Sequence, residues 1–412
     1  MQLDTREDPT IPPFGFVIDY LTYGGLYREV WLEATAESRL TDLFVYTPTL
    51  QEAVVQWTAE LTPAAAAVRI RLENADGALL AEQTAPVAET GKMQLSVPEA
   101  QPWDTEHPVL HHAIAELLNA AGQPIDRKQV TFGFRTAEFR ADGFYLNGKK
   151  TFLRGLNRHQ SYPYIGYAAP ESLQREDARI LQEELHCTAV RTSHYPQSQY
   201  FLDECDRRGL LVFTELPGWQ HIGDAAWKDA ACAMLQEIIL QNRNHPSIIL
   251  WGVRINESVD DDAFYNRTNK IAHQLDPSRA TSGVRYHRRA AGNAGALFLH
   301  VPTPWNSKQA RPAGLACLQY QNKCFRLLCD HCRGVHPVFV ASFWIRMSLS
   351  PELHGFEIFS KKRKKPVCTV LHGRLCIPPE HPSNFHLGDP NRKNRVEGKR
   401  IEKSWIFQII VH

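Results

Sequence analysis

Apolar and polar residues alternate along Tyr27-Arg28-Glu29-Val30-Trp31-Leu32-Glu33, the period of a half-buried strand. Short segments of the same kind continue through residues 39–136, as in Val68-Arg69-Ile70-Arg71-Leu72-Glu73, with turn formers such as Asn74-Ala75-Asp76-Gly77 between them. About seven short strands punctuated in this way predict an antiparallel β-sandwich.

The period then changes. Phe152–Leu156, residues 188–193, Leu210–Phe213, Ile248–Val253 and Ala280–Val284 are short, mostly apolar runs of the kind that forms buried parallel strands. Helical patterns fill the gaps, from about Ser172 to Leu185, Ser198 to Arg208 (closed by Gly209), Ala226 to Arg243 and Asp262 to Gln274. Strand–helix alternation predicts a (β/α) barrel, of which the pattern supplies about half.

Past Tyr286 the rhythm stops, and the composition changes with it. Residues 287–412 hold 20 Lys and Arg against 7 Asp and Glu, leaving 26 basic and 38 acidic residues before them, so the formal charge of +1 averages two unlike pieces. Cys187, Cys205 and Cys232 are scattered in the first piece, whereas the other six cysteines fall between Cys317 and Cys376. Three scattered cysteines make no disulfide framework, which fits a reducing, cytoplasmic setting. Met1–Pro13 lacks the basic start and apolar run of a secretory signal, and no stretch approaches the roughly 20 apolar residues of a membrane span.

Polar residues gather where the barrel strands end: Asn157-Arg158-His159 after the first, Arg191-Thr192-Ser193-His194-Tyr195-Pro196 at the second, Glu215 and Trp219 at the third, Asn256-Glu257 after the fourth. Barrel enzymes place their chemistry at this end.

These motifs resemble glycoside hydrolase family 2, which includes β-galactosidases and β-glucuronidases. The resemblance rests on Leu153-Arg154-Gly155-Leu156-Asn157-Arg158-His159, Val190-Arg191-Thr192-Ser193-His194-Tyr195-Pro196, and Asn244-His245-Pro246-Ser247 with Trp251 and Asn256-Glu257. Upstream, Gly24-Gly25-Leu26-Tyr27-Arg28-Glu29-Val30 is similar to the last strand of that family's N-terminal jelly roll. It implies four segments: a jelly-roll remnant over 1–38, an immunoglobulin-like sandwich over 39–138, the first half of a TIM barrel over 139–286, and a basic Cys-rich tail over 287–412 that does not match and is expected to be out of frame or disordered.

The same resemblance assigns roles. Glu257 becomes the general acid/base, a carboxyl that must hold its proton near neutral pH to release the leaving group. Asn256 becomes the partner of the sugar 2-hydroxyl. Arg191, His194 and His159 would line the sugar subsite, and Trp219 or Trp251 would offer a ring face to a pyranose. Trp219 stands where metal-dependent members carry a glutamate, so no metal and no cofactor are expected.

One part is missing. A retaining glycosidase needs a second carboxylate about 5–5.5 Å from the first. The family supplies it from Ser-Glu, an aromatic residue and Gly on the seventh barrel strand. The nearest counterpart here, His336 to Trp344, has Ser342 in that place, and Glu352 and Glu357 lack the motif. The expected function is therefore cleavage of β-linked sugars, galactosides first, in a chain impaired by the lost nucleophile. The alternative is an inactive carbohydrate-binding fragment. The partner in either case is carbohydrate, with no membrane and no nucleic acid. Cys324, Cys329, His331 and Cys332 are too irregularly spaced for a structural zinc site, and Lys361–Lys365 is read as a solvated charge run.

Overall fold

The computed structural model describes residues 4–285, together with the backbone of Leu297–His300, Phe343–Arg346, Phe356–Ser360, Pro366–Val370 and Ile409–Val411. The nucleophile look-alike Ser342, the cysteine cluster and the lysine run lie outside the described residues, as does the side chain of Glu357.

Seven antiparallel strands make the sandwich: β1 (Arg39–Thr49), β2 (Glu52–Glu60), β3 (Ala67–Asn74), β4 (Leu79–Pro86), β5 (Thr90–Ser96), β6 (His111–Leu118) and β7 (Pro124–Phe132). One sheet runs β1-β2-β5 and the other β4-β3-β6-β7. Alternation places Val68, Ile70 and Leu72 of β3 on the inner face, all fully buried against Val55 and Trp57 of β2 and Ala113, Ala115 and Leu117 of β6.

A three-stranded sheet follows that the pattern of residues did not reveal: β8 (Ala137–Arg140), β9 (Gly143–Leu146) and β10 (Lys149–Thr151). Asn147, at φ 54°, and Gly148, at φ 75°, form its second turn, the positive angles that a two-residue hairpin requires. Phe144 and Leu146 pack with Trp103 against Leu211, Ile249, Leu250 and Ala280, residues at or near the starts of the barrel strands. This small sheet floors the barrel.

The barrel portion comprises five parallel strands in sequential order: β11 (Arg154–Asn157), β12 (Ala189–Thr192), β13 (Leu211–Glu215), β14 (Ile248–Gly252) and β15 (Ala280–Val284). Helices α1 (Glu171–Arg179, continued by one π turn to Glu184), α2 (Gln199–Arg208), α3 (Ala225–Asn242) and α4 (Asp262–Leu275) connect them. Asp224 and Asp261 cap α3 and α4 by accepting from the backbone N–H groups of Trp227 and Phe264 at 3.0 Å. The outer edges of β11 and β15 are each taken by an antiparallel strand, Ile409–Val411 and Leu297–His300 respectively. Among the described residues, no helix is long and apolar enough to cross a membrane.

The strand expected over Tyr27–Glu33 does not form. That segment has no regular structure, and Val30, Trp31 and Leu32 are 62%, 74% and 103% exposed. Alternation makes a strand only where a neighbour takes up its backbone hydrogen bonds, and no described strand lies alongside. The chain from Phe14 to Arg28 is instead pinned to the barrel loops by single contacts. Trp227 Nε1 donates to Phe14 O at 2.9 Å, Tyr167 Oη to Leu21 O at 2.7 Å, and Arg28 to Tyr167 O at 2.6 Å and Gln160 Oε1 at 2.8 Å.

Candidate active site

Register places the polar residues. Arg191 of β12 lies level with Asn157 of β11 and Phe213 of β13, and Glu215 ends β13 beside Gly252 of β14. A Cβ at Gly252 would stand 2.6 Å from Glu215 Cγ, so the absence of a side chain there is what lets Glu215 lie against β14.

Glu215 is 1% exposed, and a lone carboxylate at such a position would not stay charged. Its charge is met. Arg191 donates Nε to Oε1 and Nη2 to Oε2, both at 2.8 Å, and His194 Nδ1 lies 3.3 Å from Oε2. Burial pushes the Glu215 carboxyl up, but Arg191 and His194 outweigh it and hold it below the usual glutamate range. The same Arg191 Nη2 donates to Asn256 Oδ1 at 2.7 Å, which fixes the residue preceding Glu257.

Glu257 has φ +51°, and its N–H donates to Val284 O of β15 at 2.9 Å. Its Oε2 accepts from Gln220 Nε2 at 3.2 Å, and its side chain remains partly exposed. Trp219, also partly exposed, forms a parallel bridge with Asn256. The His159 ring meets that of His194 edge-on with centroids 5.6 Å apart, and its Nδ1 lies 3.3 Å from Tyr195 Oη. The protein around His159, with His194 and Arg191 as neighbours, lowers its pKa to about 4, so the ring is neutral at pH 7. Thus Arg191, His194, Asn256, Trp219, Glu257 and His159 share the C-terminal end of the strands. Trp251 does not join them: it is 1% exposed and donates Nε1 to Asp276 Oδ2 at 2.9 Å, a core role.

Three participants were not assigned from the pattern. Glu215 is marked in the sequence only by its place at a strand end, and Gln220 carries no signal of its own. Asp19 comes from the irregular N-terminal segment. Though open to solvent, its carboxyl is raised by surrounding protein and by the negative charge of Glu257, against the pull of His194 and Arg191, which puts it among these groups. Tyr20 beside it stacks within 4.8 Å of Tyr195 and faces both histidines. A single acid inside Phe16-Val17-Ile18-Asp19-Tyr20-Leu21 was the available hint.

Among the described residues, no carboxylate of this face is spare for a metal ion beyond Asp19 and Glu257, since both oxygens of Glu215 are engaged. Elsewhere Asp203, Asp206 and His245 approach one another. However, His245 Nδ1 lies 2.5 Å from Asp206 Oδ2 and Nε2 lies 3.2 Å from Gln199 Oε1. Both ring nitrogens thus already face acceptors, and against its burial Asp206 raises the pKa of His245.

With this geometry, two family models match the chain: glycosyl hydrolases family 2 over residues 38–135, and the TIM barrel domain of the same family over residues 137–319. The chain belongs to glycoside hydrolase family 2. The family match runs past the composition break at Tyr286. A β-galactosidase of Thermoanaerobacter pseudethanolicus is 46% identical over 297 residues, covering 70% of this chain and 40% of that protein. A putative β-glucuronidase of Formosa agariphila is 34% identical over 307 residues, covering 70% of this chain and 37% of the relative. Among solved structures, Bacteroides uniformis β-glucuronidase 3 superposes with a TM-score of 0.61 at 30% identity, covering 68% of this chain and 37% of that one. A family 2 β-galacturonidase from Eisenbergiella tayi, bound to galacturonate, gives 0.60 at 28% identity, covering 68% and 52%. The chain thus spans about two-fifths of the length of two β-galactosidase relatives at 46% identity, 40% and 41%.

Proposed function

We propose that this chain carries the acid/base half of a retaining glycosidase acting on β-linked sugars, β-galactosides first. The observation that supports this best is the buried network in which Arg191 joins Glu215, His194 and Asn256, with Glu257 next in the chain and held by Gln220. Glu257 protonates the departing glycosidic oxygen and later activates water. Asn256, oriented by Arg191, addresses the sugar 2-hydroxyl. His159, His194 and Arg191 line the subsite, Trp219 offers a ring face, and Asp19 reaches the same opening as a hydroxyl acceptor. Galactosides are preferred because the relatives at 46% identity are named β-galactosidases. The described cysteines, Cys187, Cys205 and Cys232, are all buried and unpaired, which favours a reducing compartment such as the cytoplasm.

The sequence contains no Ser-Glu pair. General acid help is worth about 10²–10⁴-fold, but without a nucleophile no glycosyl-enzyme intermediate forms. The chain therefore turns over aryl β-galactosides feebly, and added azide, acting as an external nucleophile, raises the rate above that of a Glu257→Gln control. The second reading, a carbohydrate-binding fragment without catalysis, is favoured by the same missing motif. It predicts sugar binding with no azide effect. Turnover without azide that is abolished by Glu352→Gln or Glu357→Gln would instead locate a nucleophile in the tail.

A further inference from the structure

At the joint between sandwich and barrel lies a cavity of about 400 Å³, lined by Val45 and Thr47 of β1, Arg135 and Thr136 after β7, Asn244, and Arg279. It is remote from Glu257: the residues it shares with β14, through Pro246, precede that strand, whereas Glu257 follows it.

Arg135 is 6% exposed and has no carboxylate within ion-pairing distance among the described residues. Its Nε donates to Pro246 O and its Nη2 to Ile248 O, both at 2.7 Å. Nη1 has no hydrogen-bond partner among the described residues, and the side chain lines the cavity. The other charges around the cavity are already matched. Arg279 is held by Asp276 at 2.5 Å and by the carbonyls of Arg243, His245 and Ile248. Glu138 accepts from Arg140, and Asp42 is taken by Arg243. Burial, then Arg279, against the weaker pull of Asp276 and Asp206, pushes the Arg135 pKa down to about 9, which still leaves it charged at neutral pH.

A buried cation with no carboxylate in ion-pairing distance is costly, and carbonyl dipoles with the more distant Asp276 and Asp206 offset only part of that cost. The geometry points to an oxyanion-binding site in this cavity, with the free end of the Arg135 guanidinium as its anchor. The two end-on N–H groups of a guanidinium match either a carboxylate or a phosphate-type oxyanion. This site does not depend on the glycosidase reading, since it shares no residue with the catalytic face.

Titration calorimetry of the full chain with sodium sulfate and, separately, sodium acetate, at ionic strength fixed with sodium chloride, tests it. Saturable binding to one site is expected, weakened at least tenfold in Arg135→Gln. The tighter of the two anions shows whether a tetrahedral or a planar group is preferred. Because Arg135 also holds two carbonyls, its variant can fail to fold. Amide exchange on the unaltered protein then decides: the bound anion should slow exchange in residues 133–138 and 244–248. Heats that do not saturate, equal affinity in Arg135→Gln, or protection confined to other segments would overturn the assignment and leave an arginine solvated only by water.

Discussion

Gln220 and Glu257 both hold left-handed backbone, at φ 59° and 51°, and the amide of the first donates to the carboxylate of the second at 3.2 Å. Two non-glycine residues in that region cost free energy that the surrounding structure has to supply. Here the Gln220 N–H donates to Asn256 O at 2.7 Å and the Glu257 N–H to Val284 O at 2.9 Å. Gln220→Leu keeps these backbone contacts and removes the side-chain donor. Azide-supported turnover should fall about 3- to 10-fold, the worth of a typical hydrogen bond, with KM little changed. A change in KM alone would show that Gln220 meets sugar rather than Glu257.

Glu215→Gln should be among the most damaging substitutions in the chain. It leaves the Arg191 cation, 6% exposed, without its buried partner. Breaking such a pair costs about 3–5 kcal/mol, readable as a lowered urea midpoint. The native carboxyl titrates below its unfolded value of 4.5, so the stabilisation is complete above that pH and is lost as pH falls through the lowered native value. Wild type should lose this contribution below about pH 4.5, and Glu215→Gln should show a shallower acid limb.

His111 gives the sandwich its own acid sensitivity. It is 2% exposed, packs on Phe132 and Phe134, and its Nδ1 has no hydrogen-bond partner among the described residues. Burial, helped by His112, lowers its pKa from 6.5 to about 4. The fold prefers the neutral ring, so this contribution is full above pH 6.5 and declines as pH falls toward 4. His111→Phe should flatten the dependence of the sandwich unfolding midpoint between those limits. His159, lowered in the same sense, retains its own share.

Asn244 ties the barrel to the sandwich. Its Oδ1 accepts from Val45 N and its Nδ2 donates to Leu43 O, each at 2.9 Å. Asn244→Ala strips two backbone groups of β1 of partners, at about 1–3 kcal/mol each. A single thermal transition in wild type should split or broaden, with the sandwich melting first.

The strands and helices of the barrel portion were legible because their apolar runs are buried on both faces and closed by strong local signals. Gly209 at φ 70° ends α2, as the residues alone implied, and β15 spans the expected Ala280–Val284. The polar residues at the strand ends were legible for the same reason, since strand direction fixes which end each occupies. What stayed hidden depends on partners distant in the chain. Tyr27–Glu33 has the right alternation and no neighbour to pair with. Phe144 and Leu146 are too few to announce a sheet, and their role appears only where they meet Leu211 and Ile249. Asp19 has no periodic context, and it feels the charge of Glu257 only because Tyr20 and Leu21 next to it meet Tyr195 and Tyr167.

The pinned segment from Phe14 to Arg28 also sets an order of events. Its contacts lack sheet hydrogen bonds and join residues as far apart as Phe14 and Trp227, 213 positions along the chain. Long loops are costly to close before their contacts are rewarded. The segment therefore docks only after the barrel loops have taken shape. Asp19 and Tyr20 arrive with it, so the opening around Glu257 is the last part of this polypeptide to mature and the first to come apart when it loosens.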